Sequence, residues 1–315
     1  MISGILNIKK ELGFTSHDVV AKLRGIVHQK KIGHTGTLDP DATGVLPVCL
    51  GKATKLCDLI GNWDKTYEAV LLLGKETDTE DTSGEVIREA PVEKTEEEIR
   101  EAILSYVGDY PQIPPMYSAK KVQGKKLYEL ARKGIVIERK PCLVHISSII
   151  IKKMELPLVT LEVTCSKGTY IRSLCRDIGK DIGCGGCMAK LVRTRVASFH
   201  IDNHCFTLSE IEQMRDEGTL WQHIIPVDTV FCHFPALTVK EEGEKKLYNG
   251  NPLSMDLCEK QMAANDIKET GEQPVKEQNL TKESKMYRVY DKEKHFIGIY
   301  QLEENHILKP HKLFL

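Results

Sequence analysis

Apolar and polar positions repeat along this chain with two different periods, and the period assigns the elements. Tyr67, Ala69, Leu71 and Leu73 alternate with Glu68, Val70 and Leu72, and Val159, Leu161, Val163 and Cys165 alternate with Thr160, Glu162 and Thr164. A period of two puts every second side chain on one face, so both segments are predicted to be strands with one buried face. Other stretches follow the helical period. Ser16 is predicted to cap a helix from about His17 to His28, with Asp18 in its first turn and Val20, Leu23 and Val27 on one face. Thr95 and Glu98 have the spacing of a capping box; the helix behind them carries Ile99, Ala102, Ile103, Tyr106 and Val107 on one stripe, and Gly108 is placed to end it. The strand ending at Cys165 runs through Ser166 to Thr169 into a helix that turns Ile171, Leu174, Cys175 and Ile178 inward. Helices and strands mixed without a βαβ rhythm predict an α+β fold.

The pattern changes near Phe234. Residues Glu259 to Lys285 are polar and almost free of large apolar side chains, which reads as a mobile loop or insertion. Met286 to Tyr300 then reads as two short strands around a turn at Asp291 to Lys294. This tail is too short to bury much alone, so it is expected to join Phe234 to Met255 in a small β-rich module. The expected division is a domain over residues 1–230 and a module over 231–315, with the polar insertion near 259–285.

Composition narrows the class. The chain has 315 residues, of which 41% are hydrophobic and 28% charged, as in an ordinary soluble globular protein. No apolar run approaches the ~20 residues of a membrane span, and the N-terminus lacks the order of a signal peptide, so a cytoplasmic protein is expected. Ten cysteines fit that compartment as free thiols. The net charge of -1 hides a basic run: between Ser118 and Lys133, Lys120, Lys121, Lys125, Lys126, Arg132 and Lys133 face one acid, Glu129. Such a run serves either as a solvated helix face or as a contact for a polyanion.

The densest chemistry lies in Gly33-His34-Thr35-Gly36-Thr37-Leu38-Asp39-Pro40-Asp41-Ala42-Thr43-Gly44. Gly33 and Gly36 permit turns closed to other residues, and Pro40 restricts Asp39 to an extended or turn conformation. A carboxylate fixed on a stiff loop suits a positioned nucleophile or base; an Asp-Pro turn of purely structural value fits the segment equally well. Asp39, Asp41 and Thr43 also fit the D-x-D-x-T pattern of aspartyl-phosphate phosphohydrolases, but the preceding Lys30 to Leu38 is not the buried apolar strand that pattern follows. Cys184, Cys187, His200 and His204 have zinc-finger spacing, yet Leu191 and Ala197 stand where a finger buries Phe and Leu. The acidic loop Asp78 to Gly84 has its glycine one position late for a calcium loop and reads as a plain loop.

The stretch GHTGTLDPDATGVLPVCLGKATK resembles the catalytic motif of the bacterial TruB family of tRNA pseudouridine synthases. It is joined in the family's order by GFTSHDVV, KTYEAVLLLGKETDTEDTSG, QIPPMYSAKKVQGKKLYELARKG and CSKGTYIRSLCRDIG, so the resemblance spans nearly all of residues 1–230. The tail from Met286 weakly resembles a PUA-like RNA-binding domain. The resemblance implies a catalytic domain on a mostly antiparallel sheet with flanking helices. It also implies isomerisation of the T-loop uridine of tRNA (conventional position 55) to pseudouridine, with no cofactor or metal. By the same resemblance Asp39 is the catalytic aspartate and Arg172 its ion-pair partner. Tyr67 stacks on the target base, His34 holds the loop open after the base has left its stack, and Tyr170 and Leu191 line the pocket.

Lys120, Lys121, Lys125 and Lys126 are the expected contacts to the RNA backbone. The expected partner is the tRNA T-arm, read by a monomer without guide RNA or obligate protein partner. The alternatives are an RNA chaperone of the same fold and a relative that works with a guide RNA. Whether Asp39 attacks the base, attacks C1′ or removes a sugar proton stays open at the level of sequence. One departure from the family stands in the first motif, where Lys10-Glu11 replaces the usual Lys-Pro.

Overall fold

A computed structural model of the chain describes residues 2–118, 120–122, 124–260 and 286–315, with the side chains of Lys121 and Lys126 outside that description. Most of the polar insertion expected at 259–285 therefore lies outside the described residues. Its first two residues belong to a strand, Cys258–Lys260, which pairs antiparallel with Ala236–Val239. Among the described residues no helix is long and apolar enough to cross a membrane.

The chain forms two compact units. One comprises Leu6–Val48 and Leu56–His223. The other takes Ile224–Leu315 together with Cys49–Lys55 and the N-terminal stretch through Ile5.

A ten-stranded sheet dominates the first of these units. Its path runs Cys205–Phe206, Gly4–Lys10, Thr43–Leu50, Gly186–Val196, Lys65–Leu73, Leu158–Cys165, Cys142–Glu155, Gly108–Gln112. The central pairs Gly186–Val196 with Lys65–Leu73, and Lys65–Leu73 with Leu158–Cys165, are antiparallel, as are the outer pairs beyond Leu158–Cys165. Thr43–Leu50 meets Gly186–Val196 in parallel. Both strands predicted by alternation are present, with Ala69, Leu71, Val159, Leu161 and Val163 almost fully buried. Against this face pack the helices Glu96–Leu104 and Ile171–Ile182, through Ile99, Ile103, Leu174 and Ile178. The second helix lies so close to the sheet that a Cβ on Gly179 would stand 2.2 Å from the backbone nitrogen of Gly186; glycine is required there for contact of backbones, not for a turn.

The capping box of Thr95 and Glu98 forms as predicted, but the helix ends at Ser105 and Gly108 instead opens the strand Gly108–Gln112. The cap of the first helix is Thr15 rather than Ser16. The Thr15 hydroxyl accepts from the Asp18 amide, and the Asp18 carboxylate accepts from the Thr15 amide at 2.9 Å. Ser16 is buried and turned to another task, described below.

The C-terminal unit is built on a six-stranded sheet in the order Leu253–Ser254, Ile307–Leu313, Phe296–Leu302, Met286–Tyr290, Ala236–Val239, Cys258–Lys260. The hairpin expected around Asp291 to Lys294 is present. Its core holds Leu237, Val239, Leu247, Leu253, Val289 and Leu308.

Candidate active site

The Asp39 loop is held from below by the first strand and helix. The Ser16 hydroxyl accepts from the Leu38 amide at 2.9 Å, and the Pro40 carbonyl accepts from the Gly13 amide at 3.0 Å and from Lys10 Nζ at 3.2 Å. Lys10 is fully buried, and burial lowers its ammonium to about 8, against the pull of Asp39 and Asp41. Its other acceptors are the carbonyls of Glu11 and Phe14. A lysine thus ties the turn where the family carries Lys-Pro, and does so through carbonyls that any following residue supplies.

Arg172, in the first turn of the helix Ile171–Ile182, reaches Asp39 Oδ2 at 2.8 Å. Its guanidinium is almost wholly buried and also donates to the Tyr117 carbonyl at 2.9 Å and the Thr79 carbonyl at 3.1 Å, with Asp81 Oδ2 at 3.7 Å. These contacts fix the fork in one orientation, which a lysine could not reproduce. Asp39 keeps 42% of its side chain exposed. Its carboxyl is nevertheless raised above the usual range: burial of the site outweighs Arg172, and Asp81 and Asp41 add to the upward push. Arg172 favours the ionised form, as its position implies, without setting the net direction.

The acidic loop Asp78 to Gly84, expected to be a plain loop, braces Arg172. Glu80 accepts from Ser173 Oγ at 2.6 Å and pairs with Arg176, and its carbonyl accepts from the Met188 amide at 3.0 Å. The loop is therefore pinned between the Arg172 helix and the strand Gly186–Val196.

A cavity of about 460 Å³ opens above Asp39, lined among others by Tyr67, Tyr170, Arg172, Leu191 and Arg193. Tyr67 lies in the register opposite Arg193 across the antiparallel pair, and Leu191 lies opposite Ala69. Burial lifts the Tyr67 hydroxyl to about 12, while the positive charge of Arg193 opposes the rise. Tyr67 is thus a neutral phenol near neutral pH. Tyr170 is held by Gln112, whose amide accepts from the Tyr170 backbone nitrogen at 2.8 Å and donates to its carbonyl at 3.0 Å. Lys65 lines the same cavity; burial lowers it to about 8, with Arg193 adding to the fall, and it donates to the carbonyls of Gly61 and Trp63 at 3.0 and 2.7 Å.

Of the sequence-predicted residues, Asp39, Tyr67, Tyr170, Arg172 and Leu191 converge on this cavity. His34 does not line it; it ends the strand Ile32–His34, edge-on to His17 with ring centroids 5.4 Å apart, and burial lowers its imidazole below the usual value. Lys120 lines the cavity and contacts the Cys142 thiol, whereas Lys125 is exposed on a short hairpin with Lys121 and Val122. Cys184 and Cys187 are buried while His200 and His204 are exposed, so the zinc-finger set is not assembled. Among the described residues no cluster of three or more His, Cys, Asp or Glu is arranged to hold a metal ion. Arg193 escaped the sequence reading, although a signal existed: it stands two residues after Leu191 on a strand, hence on the same face.

The fold is shared with solved structures of a known class. An H/ACA RNP bound to a substrate RNA containing 2′-deoxyuridine contains a chain that aligns with a TM-score of 0.70 at 22% identity, over 99% of this chain and 85% of that one. A Cbf5-Nop10-Gar1 complex gives 0.70 at 23% identity, with the same coverage. At these identities the likeness concerns the fold alone. The sequence goes further. Residues 24–171 match the TruB family pseudouridylate synthase N-terminal domain, and residues 172–231 match the tRNA pseudouridylate synthase B C-terminal domain. A protein of Lachnoclostridium phytofermentans named tRNA pseudouridine synthase B is 51% identical over the full length of both chains. One of Clostridium kluyveri with the same name is 43% identical, again over both full lengths. This chain belongs to the TruB family of pseudouridylate synthases.

Proposed function

We propose that this protein isomerises the T-loop uridine of tRNA, at conventional position 55, to pseudouridine, with Asp39 as the catalytic carboxylate. The observation that carries the reading is the Arg172–Asp39 pair at 2.8 Å on the floor of a cavity walled by Tyr67 and Leu191. A stacked, paired base has to leave its helix before its glycosidic bond can be reached. A cavity of about 460 Å³ has room for one extruded base, and an aromatic wall grips it at about 1–3 kcal/mol per stack. Cleaving N1–C1′, rotating the base and joining C5 to C1′ takes one proton off C5 and puts one on N1, so the product is an isomer and no electrons are gained or lost. The reaction therefore calls for a positioned carboxylate beside the sugar and walls that retain the detached base.

On the same reading, residues 1–230 carry catalysis and 231–315 form a PUA-like module that binds RNA. His34 meets the nucleic acid outside the pocket, and Lys120, Lys121, Lys125 and Lys126 approach its phosphates. Full-length likeness to relatives named tRNA pseudouridine synthase B supports tRNA as the substrate; the proposal has it acted on without guide RNA or an obligate protein partner. The test is pseudouridine formation on an unmodified tRNA transcript in the presence of EDTA, comparing this protein with its Asp39→Asn form. Conversion at the T-loop uridine by the parent alone is expected. A folded parent that binds tRNA and leaves the uridine unchanged would make the protein an RNA chaperone instead.

A further inference from the structure

Two buried cations line the cavity with no acid to answer them. Arg193 is 1% exposed and Lys65 is 7% exposed. Among the described residues no carboxylate stands within ion-pairing distance of either, whereas Arg172 pairs with Asp39, and Arg176 with Glu80 and Asp177. Their donors go to carbonyls instead. Arg193 Nε donates to Val45 at 2.7 Å and Nη2 to Gly36 at 3.2 Å. Lys65 Nζ donates to Gly61 at 3.0 Å and to Trp63 at 2.7 Å. Carbonyls solvate a cation but leave its charge in place. The two side chains also meet at one spot: a Cβ on Gly36 would lie 3.5 Å from Arg193 Nη1 and 3.8 Å from Lys65 Cε. Lys65 and Tyr67 are two apart on one strand, Leu191 and Arg193 are two apart on the next, and all four line the cavity. Asp39 is the only acid in that lining among the described residues, and Arg172 already answers it. Holding two like charges together away from water is costly, and neutral donors would tie the same carbonyls. The arrangement is short of one negative charge.

We infer that Lys65 and Arg193 form an anion site for the detached uracil, which leaves the sugar with the electron pair of the broken N1–C1′ bond. This rests on the reading of the cavity as a uridine-isomerising site. The count is the same whether Asp39 attacks C1′ or removes a sugar proton. As N1–C1′ breaks, its pair goes to N1. C1′ takes a pair from an Asp39 oxygen, or from the C2′–H bond whose proton passes to Asp39. The base then carries one negative charge, spread over N1, O2 and O4. After it rotates, a π pair at C5 closes the bond to C1′, as the Asp39 oxygen leaves C1′ or the proton returns to C2′. C5 then gives up its proton and N1 takes one. The negative charge on the base exists only between the breaking of one bond and the making of the other. Cations fixed beside the base therefore stabilise that interval and not the neutral nucleotide before it.

Single-turnover rates test the inference on a tRNA transcript carrying uridine at the target position and on one carrying 5-fluorouridine there. The fluorinated base is a stronger acid and needs less help to leave as an anion. Lys65→Met is expected to slow loss of the uridine about 100-fold and loss of the 5-fluorouridine only about 10-fold, with RNA affinity within about twofold. Lys10→Met is the control. Lys10 is also buried and also donates to carbonyls, but it does not line the cavity, so its removal is expected to slow both substrates by the same factor. Equal slowing of the two substrates by Lys65→Met would overturn the inference. So would a loss confined to RNA affinity, which would make the pair a phosphate contact. A second measurement needs neither a variant nor RNA. 5-Nitrouracil is an anion at neutral pH, and thymine, of similar size, is neutral. Ligand-observed NMR is expected to show the parent binding 5-nitrouracil at least about tenfold more tightly than thymine. Equal binding of the two, or no binding of 5-nitrouracil, would overturn the inference. A parent that prefers the anion and binds tRNA but forms no pseudouridine would overturn the proposed function alone.

Discussion

The cleft and the C-terminal sheet each build a turn around an aspartate, and they treat it in opposite ways. Asp291 has no exposed surface. It accepts from the Tyr248 hydroxyl at 2.6 Å, from the His295 amide at 2.8 Å, and meets His295 Nδ1 at 3.0 Å. Burial alone would raise its carboxyl, but these partners outweigh burial and hold it below the usual value. Asp39 is met by Arg172 through Oδ2, keeps 42% of its side chain open to the cavity, and sits above the usual value. A carboxylate saturated with donors closes a turn. One left partly open, held by a single fixed cation and crowded by other acids, stores reactivity. The contrast separates structure from chemistry without reference to motif.

Replacing each aspartate by asparagine is the strongest way to break that contrast. Asp39→Asn is expected to lower the rate of pseudouridine formation by about 10⁴-fold or more with the fold intact. Asp291→Asn is expected to leave the rate within about twofold. A comparable loss from both, in folded proteins, would end the distinction.

The next largest effect sharpens it. Arg172→Met is expected to lower the rate about 10²–10³-fold, as for loss of a preorganised electrostatic group. It should also reshape the pH profile. On the proposed reading the reaction needs Asp39 ionised, so the rate is expected to fall as pH drops through a carboxyl pKa that burial has already raised. Arg172 pulls that pKa down, so removing it is expected to move the acidic limb to higher pH. An acidic limb that stays in place would detach Asp39 ionisation from the rate.

The third effect lies in stability. A carboxyl depressed in the folded state contributes stability above its unfolded pKa and loses it as pH falls through the folded one. Asp291→Asn is expected to cost about 2 kcal/mol near neutral pH, from lost charge-assisted hydrogen bonds to a buried group. Denaturant melts should show the parent losing more stability than the variant on acidification. Parallel curves would mean that the donors around Asp291 do not depress it.

How much of this was legible before any coordinates depends on where each partner lies in the chain. The strand around Tyr67 and the Thr95–Glu98 cap were readable because their determinants are neighbours: a period of two, and a spacing of three. Ser16 was misread for the same reason. Thr15 and Ser16 are both good caps by type, and Ser16 is withdrawn from the role only by Leu38, which is distant in sequence. The resemblance named Asp39, Arg172, Tyr67, Tyr170 and Leu191, and these meet at one cavity. The supports behind them were invisible. Glu80 looked like part of a solvated acidic loop, yet it meets Ser173 and Arg176 93 and 96 residues away. Gln112 stood only as the first residue of a family motif, yet it clamps Tyr170 58 residues on. Arg193 went unassigned, and only its register against Tyr67 brings it to the cavity as a buried cation. Residues that perform chemistry leave motifs; residues that hold them are chosen by tertiary neighbours that local sequence does not display.

The smallest effect separates the two turns most finely. Tyr248→Phe removes one donor from Asp291 and no carbon from the packing. The tyrosine itself is 51% exposed, so water can reach the vacated side and replace part of the lost bond. The expected cost is therefore about 1 kcal/mol, at the lower end for a hydrogen bond to a charged acceptor. The rate of pseudouridine formation on a tRNA transcript is expected to stay at the parent value. The analogous deletion in the cleft, Tyr67→Phe, also removes only an oxygen, but from a ring that lines the cavity opposite a buried cation. It should lower the rate and leave the melting midpoint nearly unchanged. If the two deletions exchanged signatures, with Tyr248→Phe slowing the reaction and Tyr67→Phe lowering only the melting midpoint, the division between a turn built for stability and a turn built for chemistry would be reversed.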